Sequence, residues 1–240
     1  MMSTNDAPEA PPTVTPAQTG LSAALWDFDG TLADTEPLWV AAEFELVESL
    51  GHTWNHEHAE QLVGNALLDS GAYILKAIGR TDLTPAWVVD QLLNRVVEQI
   101  VSSPIPWRPG ALELLASFKE AGIPCALVSA SYRKLLDAAL SRLPEGSFTT
   151  SVAGDEVAQG KPHPESYLAA CAQLEVKPEN CVVFEDSVPG ASAGNAAGAL
   201  VIAIENLVTI PEAPNRLHID SMTELDADKV TGLLNSWHGA

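Results

Sequence analysis

Positive charge is what this 240-residue chain has least of: 12 Lys and Arg stand against 32 Asp and Glu, a formal net charge of −20. Such a surface repels nucleic-acid backbones and anionic lipid, which excludes both as natural partners. A small anionic substrate has to be met by a local cation or a metal. Cysteine is scarce too. Cys125, Cys171 and Cys181 show no metal-ligand spacing, and an odd count excludes a disulfide framework, so the expectation is buried free thiols in a reducing cytoplasm. No apolar run approaches the length needed to span a bilayer. Residues 1–20 lack the basic start and apolar stretch of a signal peptide. Rich in Pro, Ala and Thr, they read as a disordered tail.

What the chain does have is a change of grammar along its length. Leu21 to Trp26 reads as a short buried strand, and Gly30-Thr31 turns the chain out of it. The stretches Glu36–Leu50, His56–Val63, Leu67–Ile78 and Pro85–Val101 then carry apolar residues at helical spacing. Thr84 is placed as an N-cap with Pro85 at the first helical position. Nothing in this region reads as a strand. Ser102 to Gly110 holds three prolines and cannot continue a helix.

Beyond it, strands at Cys125–Val128, Ser151–Ala153, Cys181–Phe184 and Leu200–Ile204 alternate with helices at Ala111–Ala121, Tyr132–Leu143, Glu165–Leu174 and Pro189–Ala197. A last surface helix runs from Leu225 to Trp237. That alternation predicts an α/β fold with a doubly wound parallel sheet, a Rossmann-like core of residues 21–34 and 106–240. Residues 35–105 form a small inserted all-helical domain. Gly190, Gly194 and Gly198, four apart, are expected on one helix face where they allow close approach to the sheet.

A parallel sheet gathers the C-terminal ends of its strands along one edge, where ligands bind. Asp27 and Asp29 follow the first strand. Ser129, Ala130 and Ser131 follow the second, a hydroxyl and backbone amides opening a helix. Lys161, between Gly160 and Pro162, lies beyond the third, and Glu185, Asp186 and Ser187 follow the fourth. Each group alone has an ordinary explanation as a turn, a helix cap or a solvated charge. Together, in order at successive strand ends, they support phosphoryl transfer. A carboxylate can attack phosphorus, hard oxygens from Asp27, Asp186 and Glu185 suit Mg²⁺, and Ser129 and Lys161 can hold the phosphoryl oxygens. Four acids against Mg²⁺ and Lys161 leave one excess negative charge, so one carboxyl is expected to carry a proton when substrate binds. Asp29 is the candidate, as an acid toward the leaving oxygen and a base toward water.

This set resembles the haloacid dehalogenase-like hydrolase superfamily over residues 21 to 204. Asp27-Phe28-Asp29-Gly30-Thr31-Leu32 matches its first signature, and Ser129, Lys161 and Glu185-Asp186 match the other three. The resemblance implies Asp27 as nucleophile, Asp29 as general acid/base, and Ser129, Ala130 and Lys161 as phosphate ligands. It also implies Mg²⁺ on Asp27, the Asp29 carbonyl and Asp186, with Glu185 a direct or water-mediated partner. The helical insert is similar to the family's small cap, which closes over the site. The runs from Asp34 to Trp39 and from Lys161 to Glu165 look most like bacterial sugar-phosphate and hexitol-phosphate phosphatases. Glu36, Trp39 and Asn65 are the candidates for substrate specificity.

Departures from relatives narrow the class. Dehalogenases and phosphonate-cleaving members of the resembling family lack the second acid, so Asp29 argues against both, and Lys76 reads as a surface lysine. The β-phosphoglucomutase-like members carry basic residues in the cap loop that here reads Val63-Gly64-Asn65-Ala66-Leu67, with no Lys or Arg. The expectation is a phosphatase acting on a sugar or polyol phosphate. A phosphohexose mutase and an inert binding module on the same fold are the alternatives.

Overall fold

The computed structural model describes residues 20–63 and 65–239, so the expected N-terminal tail lies outside the described residues except for Gly20. Its centre is a six-stranded sheet in the order β3-β2-β1-β4-β5-β6, parallel throughout. β1 spans Ala23–Trp26, β2 Cys125–Val128, β3 Thr150–Val152, β4 Cys181–Glu185, β5 Leu200–Ala203 and β6 Arg216–His218. The four inner strands β2, β1, β4 and β5 are buried at every position, as expected of a sheet covered on both faces. The chain winds one way from β1 to β2 and β3, and the other way from β4 outward. Strand order therefore reverses between β1 and β4, the switch point where such sheets open a crevice.

On one face Trp26 stacks on Phe184, with ring centroids 4.3 Å apart, and meets Phe118 edge-on at 6.1 Å. Phe118 belongs to α5 (Ala111–Glu120), and α6 (Arg133–Leu140) and α9 (Ala227–His238) share this core. On the other face Leu25 and Val183 pack with Tyr167 of α7 (Glu165–Gln173) and Ala191 of α8 (Val188–Ala197). All three cysteines are free and buried, and the Cys171 and Cys181 sulfurs lie 4.0 Å apart, closer than their sequence separation suggests.

The segment between β1 and α5 is helical: α1 Glu36–Ser49, α2 His56–Glu60, α3 Leu67–Ala77 and α4 Pro85–Ser102. α4 buries Val88, Val89, Leu92, Leu93, Val96 and Ile100, the stripe its spacing requires. The Thr84 hydroxyl accepts from Trp87 N at 3.2 Å and satisfies one orphan donor at its start. Where the chain leaves and re-enters the sheet domain, its two crossings are tied together. Asp34 N donates to Pro106 O at 2.8 Å and Arg108 N to Leu32 O at 3.0 Å.

Two expectations need correcting. α2 ends at Glu60, short of Val63, and β6 was not anticipated. Of the three spaced glycines, Gly194 does approach the sheet, where a Cβ would lie 2.9–3.2 Å from Val201 and Val183. Gly190 faces the Glu185 carboxylate instead, and Gly198, at φ +91, ends the helix. Among the described residues no helix is long and apolar enough to cross a membrane.

Candidate active site

The site is built outward from the end of β1. Asp27 continues the strand and is buried, and its N–H bonds Phe184 O at 3.1 Å, anchoring it to β4. Three residues on, Gly30 turns the chain at φ +87. A Cβ there would sit 1.9 Å from Asp186 Oδ2, so the first and fourth strand ends converge only because this residue is glycine. Thr31 Oγ1 completes the junction by donating to Asp186 Oδ1 at 3.2 Å.

Lys161 reaches into the centre with its side chain only 5% exposed. Its ammonium donates to Asp27 Oδ1 at 2.7 Å, Glu185 Oε1 at 2.6 Å and Val128 O at 3.0 Å, using all three donors. It also lies 4.9 Å from the centroid of the Tyr167 ring. Burial disfavours the lysine charge, but Asp27 and Glu185 outweigh it and hold the ammonium above its ordinary range.

Glu185, wholly buried, accepts on both oxygens. Oε1 takes Lys161 and the Tyr167 hydroxyl at 2.7 Å, while Oε2 takes the Ser187 hydroxyl at 2.9 Å and its N–H at 3.3 Å. Carboxylate oxygens of Asp27, Glu185 and Asp186 all lie within 4.8 Å of one another.

This crowding has an electrostatic signature. Burial pushes Asp27 well above the usual carboxylate range; Lys161 opposes the rise, and Glu185, Asp186 and Asp29 add to it. Burial, with Glu185 next, pushes Asp186 up to about 7. Asp29 is held differently. Oδ1 accepts from Thr35 Oγ1 at 2.6 Å and Trp39 Nε1 at 3.1 Å, and Oδ2 from Ser131 Oγ at 2.7 Å and Ser129 Oγ at 3.1 Å. The charge count had singled out Asp29 for the surplus proton. Burial, with neighbouring acids adding to it, raises Asp27 and Asp186, and four donors hold Asp29.

The remaining candidates divide. Ser129 N is committed to Val152 O at 3.1 Å and Ser131 N to the Ser129 hydroxyl at 2.9 Å, so of these three amides Ala130 N is the one outside those bonds. Glu36 is half-buried, and burial, then Asp29 and Asp34, raises its carboxyl. Trp39 is half-buried against the core, and its indole N–H is spent on Asp29. Asn65 is exposed and donates its side-chain amide to Gln61 O at 2.7 Å. Gly64, in the same loop, lies outside the described residues. The histidines of the insert do not converge: His58 Nδ1 meets Tyr73 OH at 3.0 Å, and His56 packs on Phe44.

Sequence reading missed Thr35 and Tyr167. Nothing local distinguishes a threonine before a helix or a tyrosine on a buried helical face. Ser131 did carry a signal, two residues from Ser129 at the same strand end.

A family model described as haloacid dehalogenase-like hydrolase matches residues 21–198, the stretch that carries all four strand-end clusters. The chain belongs to the haloacid dehalogenase-like hydrolases. Relatives place this hydrolase among the family's phosphatases. It is 33% identical over 234 residues to hexitol phosphatase B of Escherichia coli K12, covering 91% of this chain and 99% of that one. It is 32% identical over 182 residues to a phosphorylated carbohydrates phosphatase of Thermotoga maritima, covering 74% and 82%. Among solved structures it is similar to CbbY of Rhodobacter sphaeroides, crystallised with xylulose-(1,5)bisphosphate. There the TM-score is 0.76 and the identity 30%, over 85% of this hydrolase and 96% of that chain.

Proposed function

We propose that this hydrolase is a Mg²⁺-dependent phosphatase of sugar or polyol monophosphates that works through an aspartyl-phosphate on Asp27. One observation carries the reading: a buried Asp27 is gripped by Lys161 at 2.7 Å beside an Asp29 held by the hydroxyls of Ser129 and Ser131. An Asp27 oxygen attacks phosphorus and the bond from phosphorus to the alcohol oxygen breaks. The departing oxygen takes a proton from Asp29. Water then attacks the acyl phosphate, Asp29 receives its proton, and the phosphorus bond to Asp27 breaks to free inorganic phosphate. Ser129, the Ala130 amide and Lys161 hold the phosphoryl oxygens during both transfers.

The donor set fits a hard divalent cation. Three carboxylates converge within 4.8 Å, and two of them, Asp27 and Asp186, are pushed above their ordinary range by burial, with Glu185 adding to both. Asp27, Asp186 and the Asp29 carbonyl, with Glu185 beside them, would hold Mg²⁺. When bound, the ion neutralises phosphate and carboxylate charge and orients the phosphoryl group. The helices of residues 35–105 act as a cap over the leaving group, and the paired crossings at Asp34 and Arg108 are its hinge. The setting is the cytoplasm, where the three thiols stay reduced.

A panel of phosphomonoesters assayed for inorganic phosphate with and without Mg²⁺ tests this. Sugar and polyol phosphates should be hydrolysed only with the metal, Asp27→Asn should be inactive, and Asp29→Asn should lose about 10²–10⁴ in kcat. Isomerised hexose phosphate without phosphate release would identify a mutase. No turnover of any ester by folded protein would identify a binding module.

A further inference from the structure

A cavity of about 540 Å³ opens between α1 and the loop after β5, lined by Asp34, Glu36, Val40, Phe44, His56 and Leu207 among others. It lies next to the chemistry. Thr35, between the lining residues Asp34 and Glu36, donates to Asp29 Oδ1 at 2.6 Å, and Asp34 sits at the crossing just past the Asp27–Asp29 turn. A leaving alcohol on the acid/base side of phosphorus would enter this space, whose volume falls in the range of small-molecule sites.

The walls have a defined chemistry. Asp34 and Glu36 supply acceptors, and Val40, Phe44 and Leu207 an apolar side. Among the described residues no Lys or Arg lines it. Neighbouring cations are engaged elsewhere. Arg108 gives Nη1 to Asn206 Oδ1 at 2.7 Å and Nη2 to Glu205 O at 3.0 Å, while Asn206 turns its amide to Asp34 Oδ1 at 3.4 Å. Lys161 is bound to Asp27 and Glu185. His56 is exposed at the rim and packs on Phe44 with ring centroids 5.3 Å apart.

We infer, resting on the phosphatase reading above, that this cavity takes an uncharged polyhydroxylated alcohol and rejects a substrate bearing a second phosphoryl group. Hydroxyl groups can donate to the two carboxylates while C–H faces lie on the apolar wall. A second phosphate would instead be desolvated against two like charges with no cation in the lining to meet it. Specificity here comes from repulsion as much as from attraction. This separates the chain from a fold neighbour crystallised with a bisphosphate, and it disfavours a mutase cycle that holds two phosphates at once.

The experiment compares kcat/KM, with Mg²⁺, for mannitol 1-phosphate, mannitol 1,6-bisphosphate and p-nitrophenyl phosphate, in the wild type, Leu207→Lys, Glu36→Gln and Asp27→Asn. The wild type should prefer the monophosphate over the bisphosphate by at least about tenfold. Leu207 is 57% exposed, so a lysine there is tolerated sterically. It should narrow the ratio by roughly tenfold, by supplying the missing cation. Glu36→Gln should lower the ratio of mannitol 1-phosphate to p-nitrophenyl phosphate. A wild type that takes the bisphosphate equally well, or a ratio unmoved in Leu207→Lys, overturns the inference and leaves the phosphatase reading standing, provided Asp27→Asn is inactive. Absence of phosphate release from all three esters overturns that reading, and the inference falls with it.

Discussion

Trp39 Nε1 donates to Asp29 Oδ1 at 3.1 Å, so a residue of the first inserted helix holds the same carboxylate that Ser129 and Ser131 hold from the end of β2. Insert and sheet domain each grip one oxygen of Asp29. An indole N–H can only donate, which keeps Oδ1 an acceptor, whereas the Ser129 and Ser131 hydroxyls on Oδ2 can turn to accept and so admit a catalytic proton there. Trp39→Phe should therefore lower kcat by roughly ten- to a hundredfold, the worth of a hydrogen bond to a charged group, with little change in KM. Trp39→His, which restores a ring N–H, should recover part of the loss. A raised KM at unchanged kcat would instead make Trp39 a wall of the substrate site.

Glu43 is a buried carboxyl in the insert, accepting from Trp54 Nε1 at 3.1 Å. Burial raises it to about 8, with the Trp54 bond opposing and Glu36 adding to the rise. The unfolded chain loses this proton near 4.5, whereas the folded chain keeps it to about 8. Between those values the native state binds more protons, so stability falls as pH rises and levels off above 8. Glu43→Gln keeps an acceptor for Trp54 and removes the ionisation. It should match the wild type near pH 4.5 and exceed it near pH 8 by on the order of 2 kcal/mol, about 4–8 °C in Tm for a chain of this size. Thermal melts across pH check this; parallel curves for the two proteins would mean Glu43 titrates freely.

The same contrast between pattern and contact marks what the sequence could disclose. Strand positions and the four clusters at their ends were legible because both rest on local rules. A buried parallel strand is an apolar run, and topology alone delivers Asp27, Ser129, Lys161 and Asp186 to one edge. β6 escaped because Arg216–His218 has three residues, a charged one first, and earns its place only by pairing with β5. The four donors on Asp29 escaped for another reason: Thr35 and Trp39 meet Ser129 and Ser131 only through the way the insert sits on the sheet. Charge counting located the crowding, but a count knows neither burial nor partner and so could not disclose that burial is what raises Asp27 and Asp186.

Gly190 gives an inverted sign for an otherwise stabilising change. Gly to Ala in a helix interior ordinarily gains up to about 1 kcal/mol. At Gly190 the new Cβ would stand 1.8 Å from Glu185 Oε1, and that carboxylate is pinned by Lys161, Tyr167 and Ser187. Gly190→Ala should destabilise the protein by at least about 1 kcal/mol and sharply reduce activity. Gly232 in α9 has nothing within 4 Å of its Cβ position, so Gly232→Ala should show the ordinary gain at full activity. Denaturant melts of both variants, beside phosphatase assays, read the difference.

Metal binding should register in stability independently of turnover. Asp27, Glu185 and Asp186 place carboxylate oxygens within 4.8 Å of one another, offset by Lys161 alone among the side chains bonded to them as ions. A divalent cation that binds this cluster in the folded state, and not in the unfolded chain, stabilises by about 2.7 kcal/mol at a hundred times its Kd. Mg²⁺ should then raise Tm by about 5–10 °C in the wild type at pH 8. Asp186→Asn removes one of the repelling charges and a ligand together. Its metal-free Tm should lie above that of the wild type, and its response to Mg²⁺ should be lost. An equal Mg²⁺ increment in both proteins would place the ion elsewhere on this acidic chain. Na⁺ at matched ionic strength gives the control for nonspecific charge screening, because screening raises Tm in the variant as much as in the wild type.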